Sequence, residues 1–471
     1  MSLRAPADQD IVIIGGTGDL ARRKLLPALY NLCRAGLLPV RGPIVGFARS
    51  ELSDEEYRTL AREAVEEHSP SGISNDDWPA FASRLQFVCA VPEGYAGLAR
   101  HLQQPARLVY VATPPSTFPE IVRELGQHGL AAGARIVIEK PFGRDLESSR
   151  SLDLALHGVF DESQIFRIDH YLGKETVQNI LVFRFGNAAF ERIWNRDAIE
   201  HVQITVAESI GIEGRGAFYE ETGALRDIIQ NHALQVLALL AMEPPSAFEA
   251  EAIRDEKAKL FHVINPVDPA RVVRGQYAAG TIGGESVPAY RDEEGTSGDS
   301  NTETFAALEL CIDNWRWAGV PFLLRAGKRL ARRCVEIQIA FKDVPVCFFR
   351  GTDVGDVPAN HLTIRVQPEE SITFTFLAKV PGPDVAVQPV QMEFSYGESF
   401  MVQPAEAYER LLHDAMDGDA MLFARRDAVE RAWAVIEPAL RSPAPLRLYP
   451  AGTWGPREAD DLIAPRAWHL R

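Results

Sequence analysis

The stretch DQDIVIIGGTGDLARRKLLPAL, residues 8–29, places a short apolar run before a cluster of glycines and a helix-like segment. The four apolar residues at 11–14 predict a buried strand. The glycines at positions 15, 16 and 18 predict a turn in which no Cβ obstructs the backbone. From the second glycine the spacing is Gly-x-Gly-x-x-Ala, which is typical of a dinucleotide-binding turn. Because turn glycines after a buried strand are common, this pattern alone leaves an ordinary turn as an alternative.

The composition is that of a folded, acidic protein. The chain has 471 residues, of which 46% are hydrophobic and 24% charged, and its formal net charge is −16. This length allows two or three domains and a large core. A strong negative charge argues against a general nucleic-acid or anionic-membrane partner, because phosphate backbones require an excess of Lys and Arg. An anionic substrate would therefore need a locally basic pocket.

The cysteines point to a reducing compartment. There are five, at positions 33, 89, 311, 334 and 347, and no two form a Cys-x-x-Cys pair. This spacing predicts neither a disulfide framework nor a metal site. The polar opening MSLRAPADQD does not resemble a signal peptide, and no apolar run reaches the length of a membrane span. We therefore expect a cytoplasmic protein without a bound metal.

The first third of the chain alternates strands and helices. Continuous apolar runs, typical of strands covered on both faces of a parallel sheet, lie at 43–48, 85–91, 107–113 and 134–140. Helix-length stretches such as 54–67 and 118–131 separate them. This order predicts a doubly wound α/β domain. Pro27 falls inside the first predicted helix, where a proline is expected to kink it.

After about residue 180 the pattern changes to strands that alternate or nearly alternate, at 201–208, 335–341, 362–367, 371–378 and 391–396. Such strands favour a mainly antiparallel sheet. The clearest helix in this part is DIIQNHALQVLALLAM (227–242), and the glycine-rich stretch 280–304 predicts a long loop. The sequence thus predicts a dinucleotide domain followed by a larger α+β domain.

Three stretches of the first domain follow predicted strands, where ligands of such sheets bind. ATPPS (112–116) predicts a wall near the coenzyme or a simple proline turn, and EKPFG (139–143) places Lys140 at the same edge. In GFARS (46–50), Arg49 stands where NAD-binding proteins usually have an acidic residue. An arginine there accommodates a 2′-phosphate, so Arg49 favours NADP, with a solvated loop arginine as the alternative.

Two polar clusters lie in the middle of the chain. In RIDHYLGKE (167–175), His170 and Lys174 are four residues apart and would share a face if a helix started there, which would let them grip one anion. In RDIIQNHALQ (226–235), His232 lies on a strongly apolar segment with Asp227 and Asn231. A core histidine satisfied by a neighbour is an equally good interpretation of His232 from this pattern alone.

Seven motifs, in order GGTGDLARRKL, EKPFG, RIDHYLGKE, RDIIQNH, SNTETF, VPFLLRAGKRL and IRVQP, closely resemble the glucose-6-phosphate dehydrogenase family. The resemblance runs from residue 10 to beyond residue 450. It implies a Rossmann-like NADP-binding domain over residues 1–178 and an α+β substrate-binding and dimerisation domain over 179–471. It also implies oxidation of glucose 6-phosphate by a homodimer or a dimer of dimers whose interface is the large sheet.

The resemblance assigns a role to each cluster. His232 is implied to be the general base, and Asp169 the carboxylate that orients its imidazole and stabilises its positive charge. A histidine suits this role because its ordinary pKa lies near working pH. The implied substrate-binding residues are His170, Tyr171 and Lys174 at the 6-phosphate, then Lys140, Glu208, Asp227, Lys328, Arg333 and Gln367. The implied coenzyme-binding residues are Gly15, Gly16, Thr17, Gly18, Asp19, Leu20, Arg49, Thr113, Pro114, Glu139 and Lys140.

The coenzyme implied is NADP, with NAD as a weaker alternative because some bacterial members with a Gly-Gly-Thr-Gly turn accept both. Animal members hold a second, structural NADP in the C-terminal domain. Arg325 and Arg365 match two arginines of that site, but Cys334 stands in place of a lysine, and Thr373 and Thr375 stand in place of a tyrosine and a lysine. We therefore expect no second coenzyme.

Two other functions remain possible at this level. One is a sugar oxidoreductase with a Glu-Lys-Pro motif that acts on a different sugar. Such an enzyme would not need the complete set of phosphate-binding residues in HYLGK. The other is an inactive NADP-binding sensor or scaffold. Loss of the base or of its partner would favour that function, yet both Asp169 and His232 are present.

Overall fold

The strand predicted at residues 11–14 is present and lies inside a parallel sheet. In this computed structural model the described residues are 4–91, 94–346, 359–383, 386–400 and 406–469, and Cys347 lies outside them. The strands of the described part are, in chain order, β1 Asp10–Ile14, β2 Ile44–Ala48, β3 Leu85–Cys89, β4 Arg107–Val111, β5 Ala134–Ile138, β6 Ile165–Ile168, β7 Ile199–Ala207, β8 Val272–Ala278, β9 Gly280–Ile282, β10 Glu285–Val287, β11 Phe305–Leu310, β12 Phe322–Gly327, β13 Cys334–Phe341, β14 His361–Gln367, β15 Ser371–Lys379, β16 Val387–Ser395, β17 Phe423–Ala424 and β18 Leu446–Pro450.

The helices of the described part complete the element order. The α-helices are α1 Leu26–Arg34, α2 Asp54–His68, α3 Trp78–Ala82, α4 Gly94–His101, α5 Phe118–Gln127, α6 Leu146–His157, α7 Glu175–Phe185, α8 Ala188–Glu191, α9 Gly216–Ala224, α10 Leu234–Ala241, α11 Ala250–Val263, α12 Tyr396–Phe400, α13 Ala407–Asp417, α14 Arg426–Arg441 and α15 Glu458–Ile463. Two π-helical segments, Ala21–Leu25 and Leu225–Ala233, precede α1 and α10. Short 3₁₀ turns lie at Pro115–Thr117, Glu162–Gln164, Pro269–Arg271 and Tyr290–Asp292.

The chain folds into two compact units. The first comprises Met1–Lys174, Pro245–Asp255 and Pro404–Glu430, and the second comprises Glu175–Pro244, Glu256–Gln403 and Arg431–Arg471. Two segments from the later part of the chain thus belong to the first unit.

The first unit is built on a sheet whose order, among the described residues, is β17-β6-β5-β4-β1-β2-β3. β1 to β6 pair in parallel and β17 is antiparallel to β6. The order reverses between β1 and β4, which is the point at which such sheets bind ligands. The predicted doubly wound α/β fold is confirmed. The apolar runs at 107–113 and 134–140 extend beyond the observed strands, so Thr113 and Lys140 lie in the loops that follow β4 and β5.

Pro27, which the sequence predicts to kink the first helix, lies where a π-helical segment gives way to α1. It lies in the first turn of α1, directly after the π-helical segment Ala21–Leu25. In that wider segment the N–H of Leu26 donates to the carbonyl of Ala21, five residues earlier. The hydrogen bond that Pro27 cannot donate is thus missing where the π-helical bonding pattern changes to that of α1.

The second unit is built on a sheet whose order, in the described part, is β16-β15-β14-β13-β7-β12-β11-β8-β18. The pairs β7–β12 and β8–β18 are parallel and the other neighbouring pairs are antiparallel, as predicted for a mainly antiparallel sheet. One face of its central strands is apolar and buried, including Ile204, Ile337 and Ile364. The opposite face carries polar residues, so this sheet has the alternation that the sequence predicts.

In the second unit one sequence expectation was wrong and another was confirmed with a different helix type. The stretch 280–304 was expected to be a loop, but it contains the hairpin of β9 and β10. The turn Gly283–Gly284 has positive φ at both residues, which suits a tight hairpin and explains why the glycines resembled a loop. The predicted helix at 227–242 is a π-helical segment, Leu225–Ala233, that continues into α10.

Candidate active site

The glycine turn after β1 is held tightly between β2 and β4. Gly15 has φ +89°, and a Cβ added there would lie 2.7 Å from the carbonyl oxygen of Ala112. A Cβ on Gly16 would lie 2.8 Å from the Cα of Gly46. The N–H groups of Gly15 and Gly16 both donate to the carbonyl of Phe47, at 2.8 and 3.3 Å. These two glycines therefore fix the turn against its neighbouring strands, and no larger residue fits there.

The groups that can hold an anion come next in the chain. The first helical turn begins at Asp19, and the N–H of Arg22 donates to the carbonyl of Gly18 at 3.1 Å. The N–H groups of Asp19 and Leu20 belong to the start of this helix, where donors have no intrahelical acceptor. Such a helix start, preceded by a turn without side chains, binds phosphate groups. The residues present thus fit the pyrophosphate of a dinucleotide.

A polar cavity of about 330 Å³ adjoins this turn. It is lined by Thr17, Asp19, Arg22, Arg23, Glu67 and His68. The Thr17 hydroxyl lies 3.2 Å from the hydroxyl of Ser50, next to the exposed Arg49 that follows β2. Arg23 pairs with Asp19, its Nε 3.1 Å from Oδ1, and the guanidinium groups of Arg22 and Arg49 suit a phosphate-bearing ligand. Arg22, Arg23 and His68 were not singled out from the sequence.

The loops after β4 and β5 carry the coenzyme-binding residues predicted on the other side of β1 from β2. The hydroxyls of Thr113 and Thr117 lie 2.8 Å apart, so the loop that contains Pro114 is closed by a side-chain hydrogen bond. Glu139 follows β5 directly, and its Oε1 accepts hydrogen bonds from the hydroxyls of Tyr110 at 2.5 Å and Tyr408 at 3.1 Å. Burial raises the pKa of Glu139, while these two phenols and the adjacent Lys140 oppose that increase. The two tyrosines were not predicted as site residues.

The RIDHYLGKE stretch forms a compact turn after β6. Asp169 is 1% exposed, and its Oδ1 accepts a hydrogen bond of 2.9 Å from the N–H of Tyr171. The ring of His170 lies 5.1 Å from that of Tyr171, and the Nζ of Lys174 lies 4.4 Å from the centre of the Tyr171 ring. The turn therefore gathers two basic groups and a phenol, a set suited to an anion.

The sequence suggested that a helix starting at this stretch would bring His170 and Lys174 onto one face. That expectation was wrong, because α7 begins only at Glu175. The hydrogen bond from the N–H of Leu172 to the carbonyl of Asp169, at 3.0 Å, closes a tight turn instead. Gly173 permits this turn to pack on α13, since a Cβ there would lie 2.9 Å from the carbonyl of Ala407.

In the second unit, Glu208 and Lys328 lie side by side. They follow β7 and β12, which run parallel with Ala207 opposite Gly327. Lys328 is 2% exposed, and its Nζ lies 2.5 Å from Oε2 of Glu208. The Nζ also lies 5.2 Å from the centre of the ring of Tyr219, a buried residue not predicted from the sequence. Burial and the nearby carboxylates Asp227 and Glu208 raise the pKa of Tyr219 well above its usual value.

His232 lies in the π-helical segment Leu225–Ala233 and is 3% exposed. A π-helix bonds residues five apart, so Asp227 and His232 are close to one turn apart, whereas an α-helix would rotate them away from each other. The N–H of His232 donates to Oδ1 of Asn231 at 2.6 Å. π-helical turns are frequent at functional sites, and this one places a histidine and a carboxylate toward a shared face.

The start of this segment is held by a buried ion pair. Arg274 donates to Oε2 of Glu303 at 2.9 Å, and Oε1 of Glu303 accepts from the N–H of Leu225 at 3.3 Å. Gly223 has φ +64°, and a Cβ there would lie 2.5 Å from Oε1 of Glu303. Thus Glu303, from the SNTETF motif, fixes where the π-helix begins.

The two remaining predicted residues of this unit contact each other. Arg333 precedes β13 and Gln367 ends β14, and the guanidinium of Arg333 donates to Oε1 of Gln367 at 3.2 Å. Strands β13 and β7 are paired with Cys334 opposite Ala207, so this contact lies at the same edge of the sheet as Glu208. Four of the predicted substrate residues therefore share one sheet edge.

The structure gathers the predicted residues into two sets, one on each unit. Asp169 and His232 belong to different units, so the pairing between them stays a prediction. The tyrosines at 110, 219 and 408 were missed because no spacing relates them to the residues they contact. Across the described residues, no helix combines the length and apolar character needed to cross a bilayer.

Two family profiles cover nearly the whole chain. Residues 12–179 match the NAD binding domain of glucose-6-phosphate dehydrogenase, and residues 181–469 match its C-terminal domain. The glucose-6-phosphate 1-dehydrogenase of Mycolicibacterium smegmatis is 46% identical, with 99% of this chain and 98% of that protein covered. The crystal structure of the enzyme from Mycobacterium avium superposes with a TM-score of 0.89 at 38% identity over 99% of both chains.

A further solved structure is glucose-6-phosphate dehydrogenase in complex with its substrate glucose-6-phosphate. It is 36% identical and superposes with a TM-score of 0.90 over 100% of both chains. With both domains matched and full-length relatives above 40% identity, the chain belongs to the glucose-6-phosphate dehydrogenase family.

Proposed function

We propose that this chain oxidises D-glucose 6-phosphate at C1 to 6-phospho-D-glucono-1,5-lactone with NADP as the hydride acceptor. This is the first step of the oxidative pentose phosphate pathway. One observation supports the choice of substrate: a relative solved in complex with glucose-6-phosphate matches this chain over its whole length. The charged residues described above supply the groups that this chemistry needs.

His232 is proposed as the general base that removes the proton of the C1 hydroxyl as hydride leaves C1. His232 is buried and shares its π-helical segment with Asp227, and an imidazole is the side chain whose ordinary pKa best suits a general base. Asp169 is proposed as the carboxylate that stabilises the resulting imidazolium, a role that the match of RIDHYLGKE to the family supports. NADP, when bound, supplies the acceptor for the hydride.

The sugar hydroxyls are proposed to bind at the sheet edge of the second unit. The Glu208–Lys328 pair offers both an acceptor and a donor, the lysine buried and the carboxylate half-buried. Asp227 would accept a further hydroxyl, and Arg333 and Gln367 would complete the set. Lys140 is proposed to contact both substrate and coenzyme.

The 6-phosphate is proposed to bind at the turn formed by His170, Tyr171 and Lys174. This turn supplies the local positive charge that an acidic chain needs for an anionic substrate. The coenzyme's phosphates are proposed to bind elsewhere, at the glycine turn and the first turn of the helix that follows.

Arg49 supports NADP over NAD, because a guanidinium after β2 can pair with a 2′-phosphate. The exposed side chain and the neighbouring Thr17 and Ser50 hydroxyls provide donors at that place. An arginine can also stack on adenine without a 2′-phosphate, so NAD is proposed as a weaker coenzyme.

The assembly and location are proposed from the family. Residues 1–178 would bind NADP, and residues 179–471 would bind substrate and form a homodimer, or a dimer of dimers, through the large sheet. The protein is proposed to work in the cytoplasm without a metal. Light scattering on the purified chain would measure the oligomer.

One experiment tests the reaction. The purified protein is assayed with glucose 6-phosphate, glucose and glucosamine 6-phosphate, each with NADP and with NAD. We expect glucose 6-phosphate with NADP to give the highest kcat/KM. Higher kcat/KM with glucosamine 6-phosphate would assign another sugar substrate, and coenzyme binding without turnover would assign a binding protein.

A further inference from the structure

The hydrogen bonds around Glu139 are unusual for a residue proposed to bind coenzyme, because two phenols converge on one of its oxygens. The hydroxyls of Tyr110 and Tyr408 both donate to Oε1, at 2.5 and 3.1 Å. A carboxylate oxygen has two lone pairs, so these donors occupy Oε1. Another hydroxyl donor would approach the carboxylate at Oε2.

The two tyrosines come from different parts of the first unit. Tyr110 lies on β4, next to β5, which Glu139 follows. Tyr408 lies in the first turn of α13, 269 positions along the chain from Glu139. Tyr110 is buried and Tyr408 is half-buried, and burial together with the Glu139 carboxylate raises the pKa of each hydroxyl well above its usual value. Both therefore remain protonated donors at working pH.

The first turn of α13 also supports the neighbouring turn of the site. Ala407 packs against Gly173 so closely that a Cβ on Gly173 would lie 2.9 Å from its carbonyl oxygen. The Asp169 carboxylate is near enough to Tyr408 to raise the pKa of its hydroxyl. One helical turn thus contacts both the Glu139 carboxylate and the turn that begins at Asp169.

The position of Glu139 in the sheet identifies the half of the coenzyme that it faces. β2 and β3 lie on one side of β1, where Arg49 is proposed to take the adenosine phosphate. β4, β5 and β6 lie on the other side, and each half of a doubly wound sheet receives one mononucleotide. Glu139, after β5, therefore belongs to the nicotinamide half, whose ribose hydroxyls and carboxamide are hydrogen-bond donors.

We propose that Tyr408 is a positioning residue that, together with Tyr110, holds the Glu139 carboxylate as an acceptor for the nicotinamide half of the coenzyme. This inference rests on the proposed function, because it needs a nicotinamide coenzyme in the first unit. Removing one phenol leaves the carboxylate in place but less fixed and less well stabilised as an anion. Binding of the nicotinamide half weakens, and binding of the adenosine half does not.

The test compares two probes, NADPH and 2′,5′-ADP, on the purified full chain. The second carries the adenosine half alone. We expect Tyr408→Phe to raise the Kd for NADPH roughly tenfold, the effect of about 1.4 kcal/mol, and to change the Kd for 2′,5′-ADP by less than about twofold. Tyr30→Phe is the matched control, since Tyr30 is buried in the same unit and accepts a hydrogen bond from the N–H of Ser74 at 2.7 Å. It should leave both Kd values unchanged.

A double-mutant cycle keeps the inference falsifiable if Tyr408→Phe also lowers stability. In a Glu139→Gln background the effect of Tyr408→Phe on NADPH binding should largely disappear, because the two side chains act as one unit. Equal weakening of both probes by Tyr408→Phe, additive effects in the cycle, or an unchanged Kd for NADPH would each overturn the positioning role. If the unmodified chain bound neither probe, the proposed function itself would fail, and that result is distinguishable from the others.

Discussion

The ammonium group of Lys328 lies 2.5 Å from a carboxylate oxygen of Glu208, where the parallel strands β7 and β12 end together. The backbone fixes both residues: the N–H of Glu208 donates to the carbonyl of Gly327, and the N–H of Lys328 donates to that of Thr304, each at 2.9 Å. A buried lysine and a half-buried carboxylate that are anchored in this way are preorganised for a ligand with hydroxyl groups. The pair is therefore the part of the second unit on which substrate affinity should depend most directly.

Glu208→Gln should raise the KM for glucose 6-phosphate roughly tenfold. The neutral amide replaces the carboxylate, so a charge-assisted hydrogen bond to the sugar is lost and the positive charge of Lys328 loses its counter-charge. Steady-state kinetics with saturating NADP measures this. Glu309→Gln is the control, because Glu309 lies on β11 of the same sheet and its carboxylate pairs with Arg271. This variant should leave KM unchanged. An unaltered KM in Glu208→Gln would remove Glu208 from the substrate site.

His232→Asn should lower kcat by about 10²–10⁴-fold while leaving substrate affinity nearly intact, because positioned proton transfer contributes a factor of that size. Kinetics should be paired with direct binding of glucose 6-phosphate by calorimetry. His157→Asn is a suitable control, since His157 lies on α6 and bonds the carbonyl of Asp153 at 2.8 Å. A near-normal kcat in His232→Asn would assign the base to another residue.

The fold could be predicted largely because its signals are local. Four apolar residues before Gly15 and continuous runs elsewhere indicated a parallel sheet, and alternating strands after residue 180 indicated the second sheet. The features that were not predicted are backbone features that leave no periodic pattern in the sequence. Neither π-helical segment was predicted, since the apolar pattern of 227–242 is also that of an α-helix. The hairpin of β9 and β10 was missed because its strands are only three residues each.

The site could be predicted only in part for a similar reason. The motif around Asp169 was visible because its polar residues are adjacent in sequence. Tyr408 could not be related to Glu139 from spacing, because 269 positions separate them and only the fold of the first unit brings them together. Likewise, the side-by-side placement of Glu208 and Lys328 depends on the parallel pairing of β7 with β12, and the sequence predicted only the first of these two strands.

Lys174→Ala should raise the KM for glucose 6-phosphate sharply and leave the weak activity on free glucose nearly unchanged, because glucose lacks the phosphate that Lys174 would contact. The difference in KM between this variant and the unmodified chain should diminish at high salt, because salt screens the attraction between the ammonium and the phosphate. Tyr171→Phe keeps the ring under the ammonium at 4.4 Å and removes only the hydroxyl, so its effect should be smaller. Equal losses on both sugars would show that this turn does not bind the phosphate.

Arg49→Ala should reduce kcat/KM with NADP more than with NAD, because only NADP carries the 2′-phosphate that the guanidinium would pair with. Parallel assays with both coenzymes at saturating glucose 6-phosphate measure the ratio. Arg41→Ala, which removes an exposed arginine of the loop before β2, is the matched control and should leave the ratio unchanged. Equal losses on both coenzymes would reduce Arg49 to a residue that stacks on adenine.

The last prediction concerns a second nucleotide. Arg325, one of the two arginines that match the structural NADP site of animal members, is 1% exposed, and burial lowers its pKa to about 10. Its guanidinium lies 4.4 Å from the ring centre of Trp468 and 5.3 Å from that of Trp454, and its Nε donates to the hydroxyl of Thr205 at 3.1 Å. The other arginine, Arg365, lies 3.6 Å from the carboxylate of Glu336. Both cations thus already contact groups of their own unit.

Titration of NADP into nucleotide-free protein should therefore give one site per chain, and Trp468→Ala should lower Tm without changing that number. A cation–π contact is worth about 1 kcal/mol, which corresponds to roughly 2–4 °C in a unit of this size. Trp315→Ala removes a tryptophan that is 97% exposed in the same unit, so it should leave Tm unchanged. Two tight NADP sites in the unmodified chain would contradict this, because Arg325 would then have to leave its tryptophans to bind a phosphate.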